Sequence, residues 1–404
     1  MTTASIDLVS PDLFAERMPH DVFATLRREQ PVYWQDEPDG GPGYWALMRY
    51  ADVVTASADN QLFSSYRGGT FMADMEPDGL AMIRLMMLNM DPPQHTRYRR
   101  LVSTGFTPKI VRQLEPHVRE RTAKIVDAVA KRGECDFVTE VAAQLPLGVI
   151  CDLIGVPEDA HQQIFEWSNR LIGFDDPEYH TTMEEGQAAA AQMFMYAHSL
   201  AAERKLQPKA DVISILLGAE IEGEKLSDPE FDAFFMLLAV AGNETTRNLI
   251  SGGMLALIEH PEQRARLMAD PGLMPTAVEE MLRWVSPLIY FRRTLQRDAA
   301  IGGQQMREGD KVLMYYPSAN RDASVFERAD EFDVGRAPNA HLAFGGGGPH
   351  FCLGASLARL EIRCMFEELL RRLPDIELAG PVQRLRSNFI NGVKHIPVRF
   401  TPEA

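Results

Sequence analysis

The sequence predicts a mainly α-helical protein with a small β region, and three observations support this fold class. Apolar residues recur at helical spacing over about 30 residues, 231–260, which is enough to cross a whole molecule. A second run at helical spacing follows Cys352 and stops before Pro374. Residues 299–317 instead alternate short strands with glycine-containing turns, as β-hairpins do. Helices therefore form most of the predicted fold and strands a smaller part.

Length and composition indicate one large folded unit. The chain has 404 residues, 45% of them hydrophobic, and no linker, repeat or low-complexity tract divides it. We therefore expect a single domain over residues 1–404. It should consist of a helix-rich body and a small β subdomain formed by N-terminal and C-terminal strands.

Composition also excludes several classes of function and location. A net charge of −16 argues against general nucleic-acid binding. Residues 1–11 lack the pattern of a signal peptide, and the longest apolar run, 234–241, is too short to span a bilayer. The four cysteines show no paired spacing, which is typical of a reducing compartment. We expect a cytoplasmic protein with no membrane segment.

The long helix has defined ends and a polar middle. Ser227 and Glu230 have the spacing of a capping box at its start, and Pro261 ends it. Residues 241–246, Ala-Gly-Asn-Glu-Thr-Thr, weaken a helix, so we expect a local widening or kink there. An exposed stripe on a surface helix would show the same interruption. The apolar flanks favour a central helix instead, in which a buried Glu and Thr need partners or water.

A single cysteine stands between a glycine-rich loop and the last helix. Residues 345–348 are all glycine, so no side chain separates the Cys352 sulfur from an approaching group. Unpaired N–H groups at a helix start favour a thiolate, and we expect them to lower the pKa of Cys352. Such a site suits a flat, metal-containing cofactor. A buried structural cysteine beside a flexible loop has the same pattern.

Further charged residues fall on predicted elements. Residues 275–285 form a predicted helix on which Glu280 and Arg283 share a face, a pattern that is commonly a surface salt bridge. Arg293 falls in a predicted strand after Pro287. Residues 389–400 can add strands near the end of the chain.

The stretch from Phe344 to Gly354 resembles the haem-binding signature of the cytochrome P450 family. The resemblance runs through nearly the whole chain, from about residue 31 to residue 397. It implies the fold of that family, a triangular helical prism around a buried haem. It also implies haem b as the cofactor, with Cys352 as the axial ligand of its iron. One departure is that Phe344 precedes Cys352 by eight residues, one more than is usual, so the loop holds an extra glycine.

The polar middle of the long helix resembles the oxygen-activation motif of the same family. On that match, Gly242 leaves room for dioxygen beside the iron. Thr245 is expected to hold a hydrogen-bonded water at the oxygen, and Glu244 to relay protons from solvent. Glu244 and Thr245 are therefore the predicted catalytic residues.

Two further sets of residues match family positions. The haem propionates need cationic or hydrogen-bonding partners, and those that the resemblance implies are His95, Arg99, Arg293 and His350. A Glu-Arg-Arg triad with a structural role behind the haem is expected from Glu280, Arg283 and Arg336.

The resemblance also implies a substrate pocket over the haem, although core filling explains the methionine-rich part of it equally well. The expected lining residues are Phe71, Met82, Met86, Leu238, Ala241, Val285, Leu288, Ile289, Phe389 and Ile390. None of these residues carries a charge, so we expect a mostly apolar substrate.

Taken together, these features predict a haem-thiolate monooxygenase that activates O2 and hydroxylates or epoxidises a hydrophobic small molecule. Terpenoids, steroids and branched lipids are the substrate classes that the motifs suggest. We expect a monomer that receives electrons from a ferredoxin and its NAD(P)H-dependent reductase at the proximal haem face. Basic residues cluster in two stretches: Arg97, Arg99, Arg100, Lys109 and Arg112, and, after the cysteine, Arg359, Arg363, Arg371 and Arg372. The resemblance places the helix after the cysteine at that face, although either cluster alone is also typical of a solvated helix face.

Two alternatives remain at this point. One is a peroxygenase driven by hydrogen peroxide, against which the Glu244–Thr245 pair argues, because such enzymes take the acid from the substrate. The other is a non-enzymatic haem sensor or ligand-binding protein, which needs neither a proton relay nor a donor surface.

Overall fold

The computed structural model describes residues 6–173, 175–179, 182–209, 211–221 and 223–404. Its α-helices are α1 (Asp12–Ala15), α2 (His20–Glu29), α3 (Tyr50–Ala58), α4 (Pro77–Ile83), α5 (Gln94–Val102), α6 (Pro108–Ala130), α7 (Gln144–Leu153), α8 (His161–Ile172), α9 (Met183–Leu206), α10 (Val212–Gly218), α11 (Asp228–Glu259), α12 (Pro261–Ala269), α13 (Met274–Val285), α14 (Tyr316–Ala319) and α15 (Ala355–Arg372). None of these helices is both long and apolar enough to cross a membrane. The fold is mainly α, as predicted.

The strands are shorter and lie in separate small sheets. They are β1 (Val32–Gln35), β2 (Tyr44–Leu47), β3 (Phe63–Ser64), β4 (Glu134–Asp136), β5 (Tyr290–Leu295), β6 (Ala299–Ile301), β7 (Gln304–Met306), β8 (Lys311–Tyr315), β9 (Glu377–Leu378), β10 (Gln383–Arg384), β11 (Val393–His395) and β12 (Pro397–Arg399). The largest sheet has the order β1-β2-β8-β5-β3, in which only β2 and β8 run parallel.

The N-terminal and C-terminal strands lie in different sheets. β1 to β3 pair with β5 and β8, whereas β12 joins β4 and β9, and β10 pairs with β11. The predicted hairpin within 299–317 is formed by β6 and β7 around Gly302 and Gly303, both of which have positive φ. The next strand, β8, is not part of this hairpin. It pairs with β5 in the largest sheet, and its side chains are buried throughout.

Helix α11 is the central helix that the sequence predicts. Ser227 and Glu230 form the predicted capping box, and the helix ends at Glu259, before Pro261. It packs against α7, α9, α13 and α15, and the apolar side chains between these helices form the main hydrophobic core. The polar middle stays α-helical without a break, so the expected local widening is absent there.

A second apolar cluster joins α2 to the largest sheet. Phe23, Tyr44, Tyr290 and Tyr315 are among its buried members, and the hydroxyl groups of Tyr44 and Tyr315 lie 3.0 Å apart. The sheet is therefore attached to the helical body by large aromatic side chains rather than by its edges.

Candidate active site

The cysteine loop is closed by backbone hydrogen bonds. The Cys352 N–H donates to the Phe344 carbonyl at 2.9 Å, and the Gly345 N–H donates to the Leu342 carbonyl at 2.9 Å. Helix α15 begins three residues after the cysteine, with Gly354 as its N-cap. The Cys352 sulfur therefore lies in front of a helix start, as predicted. Cys352 keeps accessible surface, although protein atoms surround its sulfur closely, so the thiol faces an accessible recess.

Each of the four glycines in this loop has a structural reason. Gly345 and Gly347 have φ of 97° and 89°, in the region where side chains are strained. Gly346 and Gly348 pack closely against the end of α3, and Gly348 also has a positive φ of 72°. A Cβ at Gly346 would lie 2.7 Å from the Ser57 Oγ, and one at Gly348 would lie 2.4 Å from the Ser57 carbonyl oxygen.

The pKa of the Cys352 thiol differs from the expectation. Burial raises the pKa of Cys352, and the N–H groups of Gly354 and Ala355, with Arg99 and Arg359, oppose this only in part. The sequence argument considered the helix start alone, so its prediction of a lowered pKa was wrong for the protein without a metal. A bound metal cation is the additional positive charge that would favour the thiolate.

The middle of α11 carries an accessible stripe. Ala241 is exposed and Thr245 half-buried, whereas their neighbours Ala239 and Asn243 are fully buried. The Thr245 hydroxyl donates to the Ala241 carbonyl at 2.7 Å. Because α11 packs against α15 and lies inside the core, accessibility at these residues and at Cys352 indicates an open internal space between the two helices.

Gly242 has a packing role. A Cβ at this position would lie 3.0 Å from the Ile150 Cδ1 of α7. The absent side chain therefore lets α7 approach α11 closely. The expectation that Gly242 leaves room for dioxygen stays a prediction.

Glu244 is buried in an ion pair that the sequence analysis missed. Its Oε2 is paired with the Arg247 guanidinium, and Arg247 also donates to the Asn169 Oδ1 of α8 at 3.2 Å. The Glu244 Oε1 has no hydrogen-bond partner among the described residues. Burial raises the pKa of Glu244, and Arg247 opposes that effect. The three-residue spacing of Glu244 and Arg247 on a helix was the signal available in the sequence.

The predicted propionate partners lie close together around the cysteine loop. His95 is 1% exposed, yet neither of its ring nitrogens has a hydrogen-bond partner in the described chain. Its ring centroid is 4.2 Å from that of His350, whose Nε2 lies 3.2 Å from the Ser65 Oγ. Arg293 is buried, and its Nη1 donates to the Arg292 carbonyl at 2.8 Å.

Arg99 differs from the other three members of this group. Its two terminal nitrogens donate to the carbonyls of Pro349 and Phe351, at 3.0 and 2.5 Å. It therefore joins α5 to the cysteine loop. The sequence predicted contact with a propionate but not this bridge.

Electrostatics show what this group of residues, the cradle (His95, Arg99, Arg293 and His350), is suited to bind. Burial, followed by the charge of Arg99, lowers the pKa of His95 to about 4. Burial, followed by Arg293, likewise lowers the pKa of His350. Buried donors that are unpaired and carry excess positive charge are costly unless an anion satisfies them. A thiol facing an open space, beside donors that need anions, fits a metal porphyrin with two carboxylates.

The predicted triad forms a fully bonded cluster, which we call the clamp (Glu280, Arg283 and Arg336). Arg283 donates to both Glu280 oxygens at 2.8 Å, and the Arg336 Nε lies 3.1 Å from Glu280 Oε2. The remaining guanidinium N–H groups donate to backbone carbonyls of 320–331. All three side chains are buried. The clamp therefore fixes the loop between α14 and the cysteine.

The predicted pocket residues divide into two groups. Ile289 has no accessible surface, Ile390 is 4% exposed, and Val285 packs within 2.9 Å of the position of a Cβ on Gly252. These three lie behind the pocket wall rather than in it, because the sequence does not reveal which face of a short segment is covered. The others keep accessible surface: Phe71, Met82, Met86, Leu238, Ala241, Leu288 and Phe389.

Aromatic contacts connect two of the accessible residues. The Phe71 ring centroid lies 5.0 Å from that of Phe389, which in turn packs on Tyr290 at 5.3 Å. The segment before α4 and the segment before β11 therefore meet through these side chains. Met82, on α4, is 55% exposed and is the least enclosed of the group.

Comparison with known proteins gives consistent matches. Residues 272–378 match the protein family described as Cytochrome P450. A methyl-branched lipid omega-hydroxylase of Mycobacterium tuberculosis is 46% identical, over 98% of this chain and 95% of that protein. A steroid C26-monooxygenase of Rhodococcus jostii is 42% identical, over 98% of this chain and 84% of that protein. A Mycobacterium marinum cytochrome P450 solved in complex with pseudoionone superposes with a TM-score of 0.91, at 40% identity and 98% coverage of both chains.

Proposed function

Because the chain belongs to the cytochrome P450 family and is a monooxygenase, we propose that it hydroxylates a terminal carbon of a branched alkyl chain on a lipid or steroid. The names of two relatives carry this proposal, since one is an omega-hydroxylase of methyl-branched lipids and the other acts at C26 of steroids. Both names refer to the end of a chain. The uncharged lining of the open space, with Phe71 and Phe389 at one edge, supports an apolar substrate.

Haem b is the proposed cofactor, with Cys352 as its thiolate ligand and the cradle around its propionates. When bound, the iron porphyrin supplies the activation of dioxygen. The residues of the chain hold it in place. His95 has two ring nitrogens without a partner in the described chain, and Arg293 and His350 lie beside it as the other proposed partners of the carboxylates. Arg99 fixes the loop that carries the ligand.

Glu244 and Thr245 are the proposed proton donors. The Thr245 hydroxyl lies on the accessible stripe, where it can orient a water molecule. Glu244 lies behind it, with one oxygen bonded to Arg247 and the other without a partner in the described chain. In this proposal Glu244 would hold a proton and pass it to a water molecule that Thr245 orients. Arg247 holds the acid in position, and its bond to Asn169 connects the acid to α8.

A ferredoxin is the proposed electron donor, and the ion pairs of the basic residues indicate which of them are available to contact it. Arg359 pairs with Glu279, Arg363 with Glu115 and Arg372 with Glu403, so three basic residues near the cysteine are already neutralised. Lys109 and Arg112 are exposed at the start of α6, and neither forms an ion pair within the described chain. Since α6 packs along α15, these two residues are the proposed contacts for an acidic partner.

Product analysis tests this function. Purified protein is supplied with NAD(P)H, a surrogate ferredoxin and reductase, isotopically labelled dioxygen, and either phytanic acid or cholesterol. We expect a product that carries one labelled oxygen at a terminal carbon, identified by mass spectrometry. Products formed only with added hydrogen peroxide would indicate a peroxygenase. Ligand binding without NAD(P)H consumption would indicate a sensor.

A further inference from the structure

Two buried cations lie on one face of the largest sheet. Arg292 on β5 and Lys311 on β8 each keep only 4% of their side-chain surface exposed. Thr294 pairs with Lys311 across the two strands, which places Arg292 and Lys311 diagonally on the same face. Arg293 points to the opposite face because side chains alternate along a strand. These two cations are therefore not part of the cradle.

Both cations hold the segment 70–74, which precedes α4. The backbone N–H of Arg292 donates to the Thr70 carbonyl at 2.9 Å, and the guanidinium Nη1 of Arg292 lies 3.3 Å from the Met72 carbonyl. The Asp74 carboxylate bridges the two side chains, with Oδ1 2.7 Å from Arg292 Nη1 and Oδ2 2.7 Å from Lys311 Nζ. One exposed carboxylate thus joins the segment to two buried charges.

The cation side of this contact is rigid. A Cβ on Gly68 would lie only 2.1 Å from the Arg292 Nη2, so the guanidinium lies directly beneath the backbone of Gly68. The Lys311 ammonium is also bonded to both oxygens of Glu37, at 2.9 and 2.8 Å. Asp74, whose side chain is 51% exposed, is the most exposed member of this cluster. The carbonyls of Thr70 and Met72 also bond to Arg292 and Lys311, so the Asp74 carboxylate is one of several contacts that hold the segment.

The segment carries an aromatic side chain to the edge of the open space. Phe71 lies three residues before Asp74, and its ring packs on Phe389 at 5.0 Å. Phe389 also packs on Phe291 at 5.9 Å, beside Arg292 on β5. The position of Phe71 therefore depends on whether the segment is docked on the sheet.

We propose that Asp74 is a positioning residue for substrate binding. Its carboxylate, held between Arg292 and Lys311, docks the segment 70–74 on the sheet and places Phe71 against Phe389 at the pocket edge. The proposal deepens the proposed function, because an apolar substrate is what that aromatic pair would contact. A fraction of undocked molecules lowers the apparent affinity of any bulky ligand in proportion.

The test uses the holoenzyme with Asp74→Asn, which keeps the size of the side chain and removes its charge. Hydrogen exchange of the peptide covering 66–76 is measured without ligand, and clotrimazole affinity is measured from the haem spectrum. We expect faster exchange and an affinity about tenfold weaker, as when about a tenth of the molecules remain docked. Imidazole, which binds the iron without reaching the pocket edge, should bind within about twofold of wild type.

Two matched variants separate positioning from charge balance. Glu37→Gln removes the same charge from the same cluster but from outside the segment, and Glu76→Gln removes an exposed charge near α4 that forms no ion pair in the described chain. Both should keep wild-type exchange at 66–76 and wild-type clotrimazole affinity, and Asp74→Glu should recover part of the loss. An equal effect of Glu37→Gln would overturn the proposal, as would faster exchange in Asp74→Asn at unchanged affinity.

The result does not depend on the identity of the substrate. Clotrimazole occupies the pocket through its bulk, so it reports on Asp74 even if phytanic acid and cholesterol are not oxidised. Failure of those two substrates together with the expected Asp74→Asn result would reject the proposed function and keep the positioning role.

Discussion

The clamp and the cradle are both buried clusters of charge, yet they differ in how far their polar groups are satisfied. In the clamp, Glu280 accepts from both arginines, and the remaining N–H groups donate to backbone carbonyls. In the cradle, the ring nitrogens of His95 have no partner in the described chain, and Arg293 donates to the Arg292 carbonyl. A saturated cluster stabilises the fold, whereas an unsaturated one is built for a ligand. Buried arginines thus occur in clusters with opposite purposes.

The largest expected effect comes from breaking the clamp. Glu280→Ala leaves two buried arginines without their carboxylate, and loss of one partner of a buried ion pair costs about 3–5 kcal/mol of unfolding free energy. We expect little soluble, haem-containing protein, measured by yield and by thermal unfolding. Glu279→Ala is the matched control, because Glu279 pairs with the more exposed Arg359. An unchanged melting temperature in Glu280→Ala would remove the structural role of the clamp.

Removing the metal ligand should leave a folded protein without its chemistry. Cys352→Ala deletes the thiolate and only the weak bonds that it accepts from the N–H groups of Gly354 and Ala355, so we expect a near-normal melting temperature. The reduced carbon-monoxide complex should lose the absorption band for which the family is named, together with most activity. Cys364→Ala, a buried cysteine on α15, should keep both. Loss of the band in folded Cys364→Ala would show that the wrong sulfur has been assigned.

Removing the two arginines of the cradle should weaken haem binding and leave the fold intact. In Arg99→Ala/Arg293→Ala, a propionate loses the charge-assisted bond of Arg293, worth about 1.5–3 kcal/mol, and the cysteine loop loses the bridge that Arg99 makes to it. We expect loss of haem during dialysis, followed by the haem absorbance per protein, with helical content retained in circular dichroism. Arg112→Ala, at an exposed arginine of α6, should retain haem. Full haem occupancy in the dialysed double variant would mean that the unsatisfied donors do not hold the cofactor.

The smallest effects concern proton delivery, where neither fold nor cofactor binding should change. Thr245→Ala should bind substrate normally but form less product per NAD(P)H, with the difference appearing as hydrogen peroxide. Glu244→Gln should instead slow turnover by about a hundredfold, at the lower end of the range for a lost general acid.

Thr246→Ala is the control for this pair, because the next residue lies about 100° around the helix. Its product yield per NAD(P)H should match wild type. Stoichiometric product from Thr245→Ala at the wild-type rate would contradict the relay and favour delivery through ordered water alone.

Local signals in the sequence predicted the elements that carry the site. The capping box at Ser227 and the proline at 261 set the ends of α11, and helical periodicity set α15 before Pro374. The family resemblance then brought distant residues such as His95 and His350 to one place, where the structure has their rings 4.2 Å apart. Sequence spacing alone does not predict that contact.

Features that depend on burial were not predictable in this way. The raised pKa of Cys352 results mainly from the surrounding protein, which no local motif describes. The direction of Gly242 depends on Ile150 of another helix, and the bridge at Asp74 depends on two strands more than 200 residues away in sequence. These are long-range packing effects, whereas motifs report only on neighbouring residues.

The four-glycine loop limits how this protein can change. A side chain at Gly345, Gly347 or Gly348 would strain the backbone, and one at Gly346 or Gly348 would collide with α3. Single substitutions are therefore closed as a route for altering the surroundings of the sulfur. Adding or removing a residue changes the path of the loop without placing a side chain at these four positions. Engineers who wish to retune this site should vary the length of the loop and leave its composition alone.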